Sequence, residues 1–329
     1  MRMRLHVFSA AFAASLMLAF ATFTARSTFA DTEGHFDRTL TVSGPVDMDV
    51  QTGSGSVTVR AGASGNVEIH ARIRAGWHLG ADAEARVHQI EQNPPIEQNG
   101  NTIRIGHTED HDLFRNISIS YEITVPTETK LHASSGSGDV HVDGVGGPAE
   151  ATSGSGSVRL TNVGGQAEAH TGSGDIELNA IRGNATAKTG SGSVRAMGIS
   201  GAFSGSSGSG DIRLEQSAPG DVDLSSGSGS IEVKGAKGAV HAQTGSGNIT
   251  AQGDPTGEWK LHTGSGSVEV EFPPQAAYEL VAHTGSGTIH TDQEMTVQGT
   301  ISPRELRGKV HGGGPVVDLS TSSGSIQIR

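Results

Sequence analysis

Short runs in which every second residue is apolar fill most of this 329-residue chain. Ser157-Val158-Arg159-Leu160 and Ala167-Glu168-Ala169-His170-Thr171 show the rule: Val158, Leu160, Ala167, Ala169 and Thr171 face one way, and Arg159, Glu168 and His170 the other. A period of two is the signature of a half-buried β-strand. Each such pair of runs is separated by one phrase, Ser/Thr-Gly-Ser-Gly, then a small polar residue and then Val or Ile. From Gly136 its first glycine returns at Gly154, Gly172, Gly190, Gly208, Gly227, Gly245, Gly264 and Gly285, at intervals of 18 to 21 residues. Two short strands and two turns account for 18 residues, so one repeat is one coil of a stacked structure.

The pattern predicts an all-β fold, a parallel β-solenoid with about 18 residues per coil. Right-handed winding is expected by analogy with crossovers between parallel strands. Aromatic residues make up only 4% of the chain. That is too few for the thick core of a β-sandwich, whereas a narrow coil can be filled by Val, Ile, Leu, Ala and Thr. The phrase glycines are expected at the corners, where positive φ or close backbone approach is needed. Longer repeats carry their extra residues near Ala218-Pro219-Gly220, Asp254-Pro255 and Pro273-Pro274, as loops should.

Residues 31–130 differ from the 131–329 repeats but continue the alternation at Thr39–Val42, Val46–Val50, Val57–Arg60 and Val67–Ile73. An insertion at about 77–116 follows. It holds the one convincing helix, Ala81–Gln92, with Val87 and Ile90 on one face and Pro94-Pro95 ending it. Thr102–Ile105 and Ile117–Val125 return to strand alternation, so the segment reads as continuous with the solenoid. At the other end, 288–329 has room for two coils and is expected to cap the last open edge.

Residues 1–30 stand apart. Arg2 and Arg4 precede an apolar run from Leu5 to Phe23, and Thr28-Phe29-Ala30 offers a small-residue cleavage site, with Ala25 as an alternative. This is the pattern of a secretory signal peptide, favoured over an uncleaved anchor because the small-residue site follows at the usual distance. Export across the inner membrane is expected, to the periplasm, the outer surface or the medium, with no membrane insertion after cleavage. The chain has no cysteine, so neither disulfides nor a cysteine-linked lipid hold it. Its net charge is −12, and loss of the three arginines in the signal leaves −15. Such acidity argues against nucleic acid, which needs clustered Lys and Arg.

Repeated Ser-Gly-Ser-Gly-Asp/Ser-Val/Ile coils behind a signal peptide resemble the bacterial putative-adhesin family of exported β-solenoid domains. The resemblance also rests on the entry strand Phe36–Val42, on Ile119-Ser120-Tyr121-Glu122-Ile123-Thr124-Val125-Pro126, and on the ending from Gly308-Lys309-Val310-His311-Gly312-Gly313-Gly314-Pro315 to Ser325-Ile326. It covers nearly all of the chain after the signal. It implies a cell-envelope or surface location and a role in adhesion, and it brings no catalytic residue.

The residue after the second glycine alternates: Asp139, Ser157, Asp175, Ser193, Asp211, Ser230 and Asn248. Calcium-binding β-rolls repeat a nonapeptide, G-G-x-G-x-D, twice per coil. Here Asp occurs in every second coil, which favours a capping role with Asx-type hydrogen bonds. The serine between the glycines recurs like a structural part, whereas a nucleophile would be single and paired with a base. Histidine is the least bland residue type. His170, His262 and His283 share one outward position two before the first glycine, and the last two are expected on adjacent coils, within reach of one metal ion. A second cluster, His107, Glu109, Asp110, His111 and Asp112, falls in an expected loop with ligand types that suit zinc or another divalent ion. A solvated polar surface is the simpler reading of both, and no cofactor is expected.

No constellation of nucleophile, base and orienter stands out, and the outward carboxylates look scattered. The leading expectation is a non-enzymatic exported rod that contacts a cell surface, a glycan or an envelope protein. The alternatives are a polysaccharide lyase or hydrolase built on a β-helix, with paired carboxylates, and a periplasmic stress or assembly accessory protein.

Overall fold

Each coil begins as the alternation dictates. Ala149–Ser153 forms a strand, Gly154–Ser157 makes the corner, Val158–Thr161 forms a second strand, and a second corner leads to Ala167–Thr171 in the next coil. The computed structural model describes residues 32–62, 65–76, 82–108, 110, 112–297 and 302–329. The signal segment 1–30 and the beginning of the 77–116 insertion lie outside the described residues. Strands that precede the phrase stack in one sheet of 15, and strands that follow it stack in a second of 14. The repeats are parallel and in register: Val158 pairs with Ile176, Ile176 with Val194 and Val194 with Ile212. This is the all-β solenoid the period predicts.

The interior is narrow. Ala133, Ala151, Ala169 and Ala187 line the 15-stranded sheet, Leu160, Leu178 and Leu214 line the other, and all are at most 2% exposed. A thin core of this kind gains its burial from many small side chains rather than from a few large ones. Where one large ring is used, a neighbour shrinks. A Cβ on Gly205 would lie 2.8 Å from the Phe203 ring, which has taken its place in the row.

The phrase glycines serve close approach. None of them has a positive φ among the described residues. Instead, a Cβ on Gly156 would stand 2.2 Å from the carbonyl oxygen of Gly138 in the preceding coil, and one on Gly174 2.1 Å from that of Gly156. Backbone stacks directly on backbone here, with no room for a side chain. Of the two expected reasons for glycine, crowding is the one that operates. Left-handed backbone occurs at the opposite corner, where Gly144, Asn162, Ala180 and Gly198 occupy successive coils at φ values of 80°, 54°, 55° and 68°.

At both ends the order of coils departs from the order of the chain. The first coil, Val46–Thr52 with Val57–Gly62, is flanked on one side by Thr129–Ser135 with Val140–Asp143, and on the other by Thr102–Ile105 with Ile117–Pro126. The last coil, Val316–Ser323 with Ile326–Ile328, is wedged between Trp259–Thr263 with Val268–Glu271 and Tyr278–Ser286 with Ile289–Thr291. The stretch 288–329, expected as the cap, therefore divides. Residues 316–328 are an internal coil, and the end is closed by Tyr278–Ser286 with the antiparallel strands Met295–Val297 and Glu305–Val310. Trp259, Phe272 and Tyr278 fill that end in edge and tilted contacts, with ring centroids 5.2 and 4.7 Å apart.

The opposite end is closed by antiparallel pairs, Glu33–Thr41 with Asn66–Ala75 and Ile96–Asn99 with Thr102–Ile105. The helix Asp82–Gln92 buries Ala83, Val87 and Ile90 there. Gly34 gives it room, since a Cβ would meet Val87 at 2.3 Å.

Candidate functional site

The repeated corner is occupied by its own hydrogen bonds. The hydroxyl that opens each phrase is buried, and in seven of the phrases it works twice. Thr189 Oγ1 donates to the Gly174 carbonyl of the preceding coil at 2.9 Å and accepts from the Gly192 N–H of its own corner at 3.1 Å. Ser135, Ser153, Thr171, Ser207, Ser226 and Thr244 repeat this arrangement. The Asp and Ser ladder also runs between coils. Asp139 Oδ1 accepts from Ser157 N at 2.8 Å, Asp175 Oδ1 from Ser193 N at 2.8 Å, and Asp211 Oδ1 from Ser230 N at 2.9 Å. These carboxylates do cap backbone N–H groups, but in the next coil rather than in their own turn.

The histidines separate. His170 stands between Thr152 and Lys188. His262 and His283 are not on adjacent coils: each pairs with Ser320, so one strand lies between them. That puts their backbones about 10 Å apart, and His262 Nδ1 is hydrogen-bonded to Ser320 Oγ at 2.9 Å. The expectation failed because it assumed that coils stack in chain order.

In the acidic loop, His107 Nε2 reaches Asp49 Oδ2 at 3.1 Å, a partner from the first coil that sequence proximity does not reveal. Asp110 Oδ1 accepts from Leu113 N, and the Asp112 carbonyl accepts from Arg86. Glu109 and His111 lie outside the described residues. Among the described residues no three His, Asp or Glu side chains are gathered as a metal site would need.

The outer faces carry ladders of polar side chains, one residue per coil. On the 15-stranded sheet Glu150 and Glu168 are directly paired, with His132 Nδ1 3.3 Å from Glu150 Oε2 and Gln166 donating to Glu168. The carboxylates are thus less scattered than they look in the sequence. On the 14-stranded sheet the ladder runs Thr58, His141, Arg159, Glu177, Arg195, Arg213, Glu232. Beside it lies a shallow groove of about 530 Å³. Arg159 grips Glu177 Oε2 through Nε and Nη2 at 2.9 and 2.7 Å. Lys234 donates to Glu232 at 2.7 Å and holds that carboxyl below its usual range. Partial burial, and then the charge of Arg159, lower the His141 pKa from its ordinary 6.5. Arg195 has no hydrogen-bonding or ionic partner among the described residues. The signal for this ladder was in the sequence, as the residue after each phrase-ending Val or Ile, but its partners emerge only when the coils are stacked.

The model of the Toastrack DUF4097 family matches residues 47–329. The chain belongs to that family. The chain is also similar, at low identity, to several solved structures. A putative adhesin from Bacteroides fragilis is 14% identical, with 90% of this chain and 97% of that one covered and a TM-score of 0.31. A putative cell adhesion protein from Clostridium sporogenes is 12% identical, with 90% and 99% covered and a TM-score of 0.22. A putative lipid binding protein from Parabacteroides distasonis is 15% identical, with 90% and 96% covered and a TM-score of 0.43. No curated protein matches the toastrack chain. The family resemblance drawn from its residues therefore stands.

Proposed function

We propose that this toastrack chain is an exported, non-enzymatic binding rod whose flat sheet face contacts an extended partner at the cell envelope, in the manner of an adhesin. The observation that carries this reading is the ladder on the 14-stranded sheet, which presents one polar side chain per coil over a shallow groove. The phrase residues are engaged in holding the coils together, so binding falls to the faces between the corners. A regular face with a fixed repeat of about 4.8 Å suits a polymer or a broad surface better than a small substrate. The partner is a cell-surface component, a glycan or an envelope protein. The apolar N-terminal run supports export, and protease shaving of intact against lysed cells separates the surface from the periplasm.

The test is retention of purified residues 31–329 on whole cells, envelope extract and a panel of polysaccharides. Retention by at least one of these is expected, and none by any would overturn the reading. A glycan-cleaving alternative draws on the paired Glu150 and Glu168, since two carboxyl groups close together are what a retaining glycosidase uses. Release of new reducing ends that disappears in Glu150→Gln would establish it instead.

A further inference from the structure

We infer that Arg195, Met197 and Arg213 form a subsite for the carboxylate of an acidic sugar, within a glycan whose charged and neutral units alternate. This rests on the binding-rod reading above and names the class of partner.

Three observations converge on the strand Val194–Ile199. The first is charge. Arg195 is directly opposite Glu177 on one side and Arg213 on the other. Glu177 is already held at Oε2 by Nε and Nη2 of Arg159. Arg213 reaches Asp211 Oδ2 through Nη2 at 3.5 Å and Glu232 Oε2 through Nε at 3.4 Å, while Lys234 takes the other oxygen of Glu232 at 2.7 Å. Arg195, without an ionic partner among the described residues, thus stands directly opposite an arginine whose own carboxylate contacts are long. Like charges directly opposite in a sheet are unfavourable, and a bound carboxylate would turn that repulsion into charge-assisted hydrogen bonds, for which the guanidinium fork is built.

The second observation is apolar. Met197, two residues beyond Arg195 on the same face, is 42% exposed and is one of two large hydrophobic side chains so placed among the described residues. Its flexible thioether offers a soft surface for the C–H face of a pyranose ring. The third is the groove, which begins at Arg195 and Arg213 and runs across the coils past Asp175, Ser157 and Asp139. Asp139 and Asp175 each spend Oδ1 on a backbone N–H, which leaves the second oxygen to accept from sugar hydroxyls.

Those same aspartates set the pattern of the ligand. A carboxylate on the very next unit, one coil along the groove, would meet Asp175, whereas two coils along it would meet Ser157, so a uniformly charged chain is repelled. A glycan whose next unit is neutral fits: two coil spacings, about 10 Å, are the reach of two pyranose rings. Nucleic acid, with a charge on every unit, is disfavoured on the same ground.

The experiment is a titration, by NMR shifts or calorimetry, of residues 31–329 with a hexasaccharide of alternating glucuronate and N-acetylglucosamine. Its carboxyl methyl ester, an oligogalacturonate and a sulfated oligosaccharide are titrated in parallel. Binding of the alternating acid is expected, weakened at least tenfold by Arg195→Ala or Arg213→Ala and severalfold by Met197→Ser. Lys260→Ala, on the other sheet, should leave it unchanged. Thermal melts of each variant check that the coils remain stacked, and Arg195→Lys should bind between wild type and Arg195→Ala. Equal binding of the methyl ester, preference for the oligogalacturonate or the sulfated sugar, or an Arg195→Ala variant as tight as wild type would each overturn the subsite. Retention on cells or neutral glycans that Arg195→Ala does not alter would overturn the subsite and leave the binding rod standing. No retention on any surface or glycan would overturn both.

Discussion

His262 is hydrogen-bonded to Ser320, 58 residues further along the chain, through Nδ1 and Oγ at 2.9 Å. The contact marks the place where the last coil enters the rod. Val317 pairs with Trp259 on one side and with Leu280 on the other. The C-terminal coil is therefore an internal part of the stack with two neighbouring coils to satisfy.

Leu319 tests that placement. It is fully buried in the wedged strand, so Leu319→Ala should cost about 2–5 kcal/mol, as core truncations do. A terminal strand that merely frayed at an edge would lose far less. Urea unfolding of the two proteins decides between these outcomes, and limited proteolysis should cut the variant first between residues 311 and 316.

Gly156 and Ser155 are neighbours in one phrase with opposite expectations. A Cβ at Gly156 would meet the Gly138 carbonyl oxygen at 2.2 Å and its carbon at 2.4 Å, so Gly156→Ala forces two coils apart and should cost about 1–3 kcal/mol, on the scale of overpacking. The side chain of Ser155 is exposed. Ser155→Ala should stay within about 0.5 kcal/mol of wild type, and denaturation midpoints compare the two directly.

Thr189→Val removes a hydroxyl and keeps the shape. The Gly192 N–H then loses its acceptor and the Gly174 carbonyl loses its donor. Leaving a buried donor unsatisfied costs about 1–3 kcal/mol. The same substitution at outward-facing, half-buried Thr186 should be near neutral, and a Thr189→Ser variant should recover most of the loss.

His141 predicts a pH dependence. Its folded pKa lies below the ordinary 6.5 because of partial burial and the nearby Arg159 charge. The unfolded chain then binds the proton more readily, and stability rises with pH wherever that is so. The stability is fully present above about pH 6.5 and falls as the pH drops through the folded pKa. In His141→Asn the urea midpoint should change less between pH 7.5 and 5 than in wild type, and an unchanged slope would remove His141 as its source.

Much of this molecule was legible from its residues. Alternation, the 18-residue period and the scarcity of aromatics pointed to a parallel solenoid. Asp139 and Asp175 could be read as caps because their spacing was wrong for a calcium roll. The local signals sufficed because each coil touches mainly its neighbours and repeats their chemistry. The helix was equally plain, since Val87 and Ile90 lie on one face of good helix formers.

The sequence by itself determined the coil: which residues turn inward, where corners fall, and why hydroxyls and carboxylates line them. Only the tertiary structure decided the order of coils at the two ends, and with it which side chains meet. A period states that one coil resembles the next, but any coil with Val or Ile after its corner can pair with any other in register. Which neighbour it takes is set by the insertion and the end strands, whose packing has no local signature. Hence His262 meets Ser320, His107 meets Asp49, and Arg195 stands directly opposite Arg213.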